Sequence, residues 1–413
     1  MAAGHEASSL PGPPVALYVH VPFCVSLCPY CDFVVYAGAA ARGPTSRVDA
    51  LLRALHAELA LRADALDGRF GRGRPALETV YLGGGTPSLL GSDAVAALLD
   101  TISARYGIAS GAEITIEANP GPDERGDAAA FHRAGVTRLS LGAQSLSDDE
   151  LRRLGRRHRG SDVDVAVASA RDGGIGSVSL DLLYDLPDSS TETWAATLDA
   201  ALALEPDHLS LYALTLDDPD AEGLTGTAGD HLPTTAGARR WRDRARRGQD
   251  DDRAADQYVH ATERLAADGW RGYEISNWAR PGHESRHNLA YWQRRPYEAV
   301  GPGAHAFDGL TRRWNAARLE GYLAALAPSS GSRPSLPPGG TTPLDTDAAG
   351  AESVILALRT DRGVDADQAR RPAYASAFEW AAANALTDQT PDDRVVLTTR
   401  GRLLSNELFI RLA

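Results

Sequence analysis

Between residues 16 and 214, short apolar stretches alternate with longer amphipathic ones, and this alternation leaves few folds open to the 413-residue chain. Residues 16–21 (ALYVHV), 79–82 (TVYL), 113–118 (EITIEA), 138–141 (RLSL), 177–183 (SVSLDLL) and 208–214 (HLSLYAL) read as strands. Val48, Leu51, Leu52, Leu55 and Leu59 recur at helical spacing after a cap at Thr45 or Ser46. Val95, Leu98 and Leu99 follow a cap at Ser92 or Asp93, and further helices fall around 163–171 and 192–204. Six βα units predict an α/β fold with a parallel sheet, and right-handed crossovers curl it into an open, partial (βα)6, TIM-like barrel. In such a barrel the functional groups gather at the C-terminal ends of the strands.

Beyond residue 215 the pattern weakens. Residues 223–253 are polar, with Arg239, Arg240, Arg242, Arg244, Arg246 and Arg247 followed by Asp250, Asp251 and Asp252, and read as a solvated loop or helix. A helix is expected over 258–268 and a strand at 273–276. Residues 329–350, rich in Pro, Gly, Ser and Thr, read as a linker. A helix at 352–358, a strand at 394–397 and a helix at 402–412 predict a small α+β, winged-helix-like unit. The expected organisation is a disordered tail (1–14), a barrel core (15–255) with an insertion at about 223–255, a connecting region (256–328), the linker, and a C-terminal domain (351–413).

The only three cysteines are Cys24, Cys28 and Cys31, spaced C-x-x-x-C-x-x-C just after the first strand. Three close thiolates suit an iron–sulfur cluster with one iron left open. A structural zinc site is the alternative, but it wants a fourth ligand, commonly from a second C-x-x-C or a His pair. An odd cysteine count argues against a disulfide framework and for a reducing compartment. The net charge of −13 disfavours a general nucleic-acid role. There is no apolar run of 18 residues, and residues 1–16 lack the features of a secretory or mitochondrial signal, so a cytoplasmic protein is expected.

Gly83-Gly84-Gly85-Thr86-Pro87 follows the second strand. It matches neither phosphate-loop pattern, and it serves either a tight turn or the close approach of a ligand's carboxylate and amine. Glu117, Gln144, Arg156 and Asp181 stand at or after strand ends, as caps and surface groups or as ligand contacts. His287-Asn288-Leu289-Ala290-Tyr291-Trp292 joins an imidazole to two aromatics. That fits either an ordinary core contact or axial ligation and stacking of a flat macrocycle. His208 and His305 are weaker candidates of the same kind. The arginine stretch around Trp241 reads as a solvated face, with binding of acidic partners or RNA as the alternative.

The cysteine motif resembles that of the radical S-adenosylmethionine superfamily, and YVHVPFC, GGGTPS, LGAQS, DLLYDLP, YEISNWA and the C-terminal LTxxGRLLSNELF pattern resemble the oxygen-independent coproporphyrinogen III oxidase (HemN) family. Asp32-Phe33 after Cys31 replaces the Cys-Gly-Cys ending of the oxidases, and His287, Asn288, Tyr291 and Trp292 match H-N-x-x-Y-W, as in the HemW branch. The resemblance implies a haem chaperone that carries haem to respiratory proteins, with peripheral membrane association and a homodimer as further expectations. It implies a [4Fe–4S] cluster on Cys24, Cys28 and Cys31, and S-adenosylmethionine held by Tyr18, Tyr30, Gly84, Gly85, Thr86, Glu117, Gln144, Arg156 and Asp181. It gives His287 as the haem ligand and assigns no catalytic residue. The alternative is oxidative decarboxylation of coproporphyrinogen III. One departure is Asp185, where the family usually has Gly before Leu-Pro; another is the length of the arginine-rich insertion.

Overall fold

The computed structural model describes residues 11–37, 46–216, 219, 222–326 and 332–413. The expectations placed on residues 1–10, on Thr45 as a cap and on positions 329–331 lie outside the described residues. Six parallel strands form the centre: β1 (Ala16–Val21), β2 (Leu77–Gly84), β3 (Ile108–Ala118), β4 (Arg138–Gln144), β5 (Ser177–Tyr184) and β6 (His208–Ala213), neighbours in that order. The strand period of two sorts their side chains. Leu17, Val19, Val21, Val80, Leu82, Ile116, Leu139, Leu141, Val178, Leu180, Leu209 and Leu211 belong to the main buried cluster. The intervening positions, Tyr18, Tyr81, Glu117, Ser140, Ser179, Asp181, His208, Ser210 and Tyr212, line a cavity on the opposite face. Helices α1 (Ser46–Phe70) and α2 (Ser92–Tyr106) supply Leu51, Leu55, Leu59, Val95, Leu98 and Ile102 to that cluster.

The barrel is open. Beyond β6 the sheet continues antiparallel through Asn277–Ala279 and Arg271–Gly272. Beyond β1 it continues through parallel Tyr297–Val300, then antiparallel His305–Phe307, Thr311–Asn315 and Gly339–Pro343, twelve strands among the described residues.

Four local expectations change. The strand expected at 273–276 is instead a pair of short strands on either side of it. The segment read as a linker carries the edge strand Gly339–Pro343 and the start of helix Thr346–Leu358. That edge needs bare backbone, because a Cβ at Gly340 would strike the Trp314 ring and one at Gly339 the Trp314 carbonyl. At α2 the cap position is Gly91, with no side-chain cap, so neither Ser92 nor Asp93 caps it. The last helix is broken at Leu404 into Thr399–Leu403 and Ser405–Leu412.

The C-terminal region has a separate apolar cluster that includes Val354, Leu358, Phe378, Leu386, Leu397, Leu408 and Leu412. Its three-stranded antiparallel sheet lies beside helices Thr346–Leu358, Ala375–Ala383 and Ser405–Leu412. An Arg271–Asp361 ion pair and a Glu274–Thr360 bridge tie it to the barrel edge.

Candidate functional site

A cavity of about 530 Å³ opens at the C-terminal ends of the barrel strands, within the usual range for small-molecule sites. Cys24, Cys28 and Cys31 lie on its wall, together with Tyr18, Tyr30, Gly84, Gly85, Glu117, Gln144, Arg156, Asp181 and His287. Of the thirteen residues that the resemblance assigns to the cluster, to S-adenosylmethionine or to haem ligation, Thr86 alone stands behind the wall. Its buried hydroxyl donates to Cys24 Sγ at 3.5 Å and accepts from Asn119 Nδ2 at 3.0 Å.

The cysteine loop leaves β1 at Pro22 and turns tightly, the Cys31 N–H donating to the Cys28 carbonyl. Burial pushes the Cys24 thiol up to about 11 and raises Cys31 further. An incoming metal must therefore displace protons from both. Among the described residues no trio of His, Cys, Asp or Glu converges on a single-ion site. In a cubane cluster each thiolate takes a different iron, so its ligands need not meet at a point as zinc ligands do. The Arg156 guanidinium lies 3.4 Å from Cys28 Sγ, while donating also to the Gly142 carbonyl and to Asn119 Oδ1. Arg156 Nε is buried without a partner at this end of the cavity, and the Tyr30 hydroxyl is buried beside Cys28.

The glycine turn begins inside β2. Gly84 has φ +113, and a Cβ there would run into the His20 ring; one at Gly85 would lie 2.6 Å from the Phe23 carbonyl. His20 itself is locked between the Tyr18 hydroxyl and the Val34 carbonyl, and burial lowers it to about 4. Glu117 accepts from the Tyr81 hydroxyl (2.7 Å) and the Gly84 N–H (2.8 Å). Burial pushes its carboxyl up to about 7, with Asp181 adding repulsion. Asp181 accepts from Ser140 and Ser210, and burial raises it as well. Gln144 ends β4 in the left-handed region, φ +66, where the register shifts. This end of the cavity offers both carboxyl groups and donor groups, the mixture that an amino-acid ligand carrying ribose hydroxyls requires.

His287 is buried in the seven-residue helix Arg286–Trp292, capped by Ser285 and held at its start by the Glu113 carboxylate. Its Nδ1 lies 2.7 Å from Thr79 Oγ1 and its Nε2 2.7 Å from the Tyr291 hydroxyl. Tyr81 and Tyr18 lie beside the ring. Burial lowers its pKa to about 3, so the imidazole is neutral. Asn288 and Tyr291 also line the cavity, whereas Trp292 lies outside it under the Arg359 guanidinium. His208 lines the cavity but is committed to Ser179 and Tyr273. His305 does not reach the cavity and pairs with Asp230.

Two residues missed by the sequence reading bear on the site. Asn119, directly after β3, links Thr86, Glu124 and Arg156. Arg242, in the stretch read as a solvated face, is instead buried and donates to the carbonyls of Pro29, Tyr30 and Cys31. A charge run gives no sign that one of its arginines faces backbone carbonyls. At Asp185 the turn keeps a left-handed backbone, φ +52, without glycine, and the carboxylate is held by Arg253 and the Asp250 N–H.

Residues 18–201 match the Radical SAM superfamily. The protein named Heme chaperone HemW from Mycobacterium tuberculosis is 39% identical over 397 residues, spanning 96% of this chain and 94% of that protein. Its namesakes are 39% identical in Escherichia coli (71% of this chain, 70% of that protein) and 30% identical in Bacillus subtilis (95% and 97%). Coproporphyrinogen III oxidase (HemN) from Escherichia coli shares the fold, with a TM-score of 0.78 over 98% of this chain and 91% of its own, at 23% identity. Radical SAM membership implies a [4Fe–4S] cluster and S-adenosylmethionine, and the thiol-lined, glycine-floored end of the cavity fits both. With relatives at 30–39% identity over 95–96% of its length, this chain belongs to the HemW family of the radical SAM superfamily.

Proposed function

We propose that this protein binds haem and hands it to haem-requiring respiratory proteins, from a barrel that also holds a [4Fe–4S] cluster and S-adenosylmethionine. The observation that carries the reading is the placement of His287. A neutral imidazole flanked by Tyr18, Tyr81 and Tyr291 lies on the wall of the same cavity as the cysteine loop. Exposed Leu27, Phe33 and Tyr212 surround that cavity and give it an apolar rim suited to a large flat ligand.

In this reading Cys24, Cys28 and Cys31 hold the cluster, and Arg156 offsets its negative charge. Gly84 and Gly85 admit the amino-acid end of S-adenosylmethionine, and Glu117, Gln144 and Asp181 supply its polar contacts. Tyr18 and Tyr30 pack beside it, while Thr86 orients the Cys24 thiol. When bound, the cluster supplies one electron to S-adenosylmethionine. His287 would hold haem through its neutral imidazole.

The test is anaerobic. Reconstituted protein is incubated with haem in one arm and with coproporphyrinogen III plus S-adenosylmethionine in the other. Haem should stay with the protein through gel filtration, and no decarboxylated porphyrinogen should form. Product in the second arm with no haem retained in the first would replace this reading with that of the oxidase.

A further inference from the structure

The arginine-rich insertion contributes a helix, α3 (Ala236–Ala245), that lies against the cysteine loop. Its Arg242 is 3% exposed. A buried guanidinium needs acceptors for its N–H groups, or burial costs several kcal/mol. Arg242 Nε donates to the Pro29 carbonyl at 3.1 Å, and Nη2 donates to those of Tyr30 at 3.4 Å and Cys31 at 3.0 Å. These are three successive carbonyls, running up to and including the third cysteine, and their shared orientation makes one face of the turn negative. The preceding residue, Trp241, packs against Tyr30 and donates from its indole to the Arg153 carbonyl.

The helix is itself tied to the barrel mouth. Thr235 caps it. Past its end, Arg246 and Gln249 donate to the carbonyls of Leu216 and Leu214 just beyond β6, and Arg253 pairs with Asp185 just beyond β5. The loop carrying the cysteines is thereby joined, through one guanidinium, to the far side of the strand array from β1.

We propose that α3 is a clamp on the cysteine loop, with Arg242 as a positioning residue that keeps Cys28 and Cys31 in place for the cluster. Two consequences separate this from a general stabilising role. The forked hydrogen bonds order the loop even without metal. The fixed positive charge beside a cluster made anionic by its thiolates favours the reduced form and raises the reduction potential.

The test uses the full chain, without haem. In metal-free Arg242→Gln, exchange of the amides in residues 28–33 should accelerate by about tenfold or more, since losing several bonds from a charged donor releases the turn. Amides of β2 and β3 should be unchanged. After reconstitution, loss of iron to a chelator should accelerate by a similar factor. The cluster's midpoint in a titration with dithionite, a one-electron donor, should move to more negative potential. Arg242→Lys keeps the charge without the fork, so its midpoint should stay near that of the parent while loop exchange still accelerates. Unchanged loop exchange in both variants overturns the proposal. So does acceleration spread equally over the barrel, which would make Arg242 an ordinary structural residue. If Arg242→Gln does not fold, the lysine variant decides by whether its faster exchange is confined to the loop.

Discussion

At His287 two hydrogen bonds set what the side chain can do. In the tautomer whose Nδ1–H donates to Thr79, Nε2 keeps its lone pair and accepts the Tyr291 hydroxyl, and this is the tautomer that can ligate through Nε2. A metal that takes Nε2 must displace that hydroxyl, at a cost of about 1 kcal/mol. Tyr291→Phe should therefore tighten haem binding several-fold in a spectroscopic titration, and weaker or equal binding would contradict Nε2 as the ligating atom. Glu117 gives a second prediction at this scale. Burial pushes its carboxyl up to about 7, so the carboxylate forms as pH rises through neutrality. Affinity for S-adenosylmethionine should rise between pH 6 and 8 in the parent, and Glu117→Gln should bind with a flat profile. A parent profile as flat as the variant's would remove Glu117 from the contact.

Among elements, the turn after β5 shows how an inserted segment and a departure from the family pattern compensate one another. Asp185 adopts φ +52, where glycine is unstrained, and is buried against Arg253 from the insertion. Asp185→Ala should cost about 2 kcal/mol by removing the carboxylate from an arginine that keeps only the Leu186 and Gly248 carbonyls, on a strained turn. Asp185→Gly should cost about 1 kcal/mol less, because the backbone strain is gone. Urea midpoints check both, and equal losses would show that the backbone conformation contributes nothing. The same elements mark how far the sequence could be read. The six strands were legible because apolar residues alternate with Tyr18, Glu117, Asp181 and Ser210, and the cysteine spacing announced its own chemistry. The edge strand Gly339–Pro343 was not legible, since two glycines packed against Trp314 look like linker composition. Arg242 and Asn119 were missed for a related reason. Their partners include backbone carbonyls and residues distant in sequence, which leave no periodic trace.

For the molecule as a whole, one cavity brings together groups that the chain scatters over some 270 positions, from Tyr18 to Tyr291. Closing an open barrel around polar residues has a thermodynamic signature. Burial lowers His20 and His158 to about 4 and His287 to about 3, with His208 also well below the ordinary 6.5. Each is neutral when folded and takes up a proton when unfolded. Stability is therefore full above about pH 6.5 and is lost as pH falls toward 4, by about 1.4 kcal/mol per pH unit for each histidine. The urea midpoint at pH 5 should lie well below that at pH 7, and equal midpoints would contradict the buried neutral imidazoles. This cavity is proposed to hold haem through His287. Its most direct test is haem titration followed at the Soret band in the parent, in His287→Ala, and in His305→Ala, whose histidine lies outside the cavity. One tight site is expected in the parent and in His305→Ala, with at least tenfold weaker binding and an altered Soret maximum in His287→Ala. Unchanged affinity and spectrum in His287→Ala would contradict it.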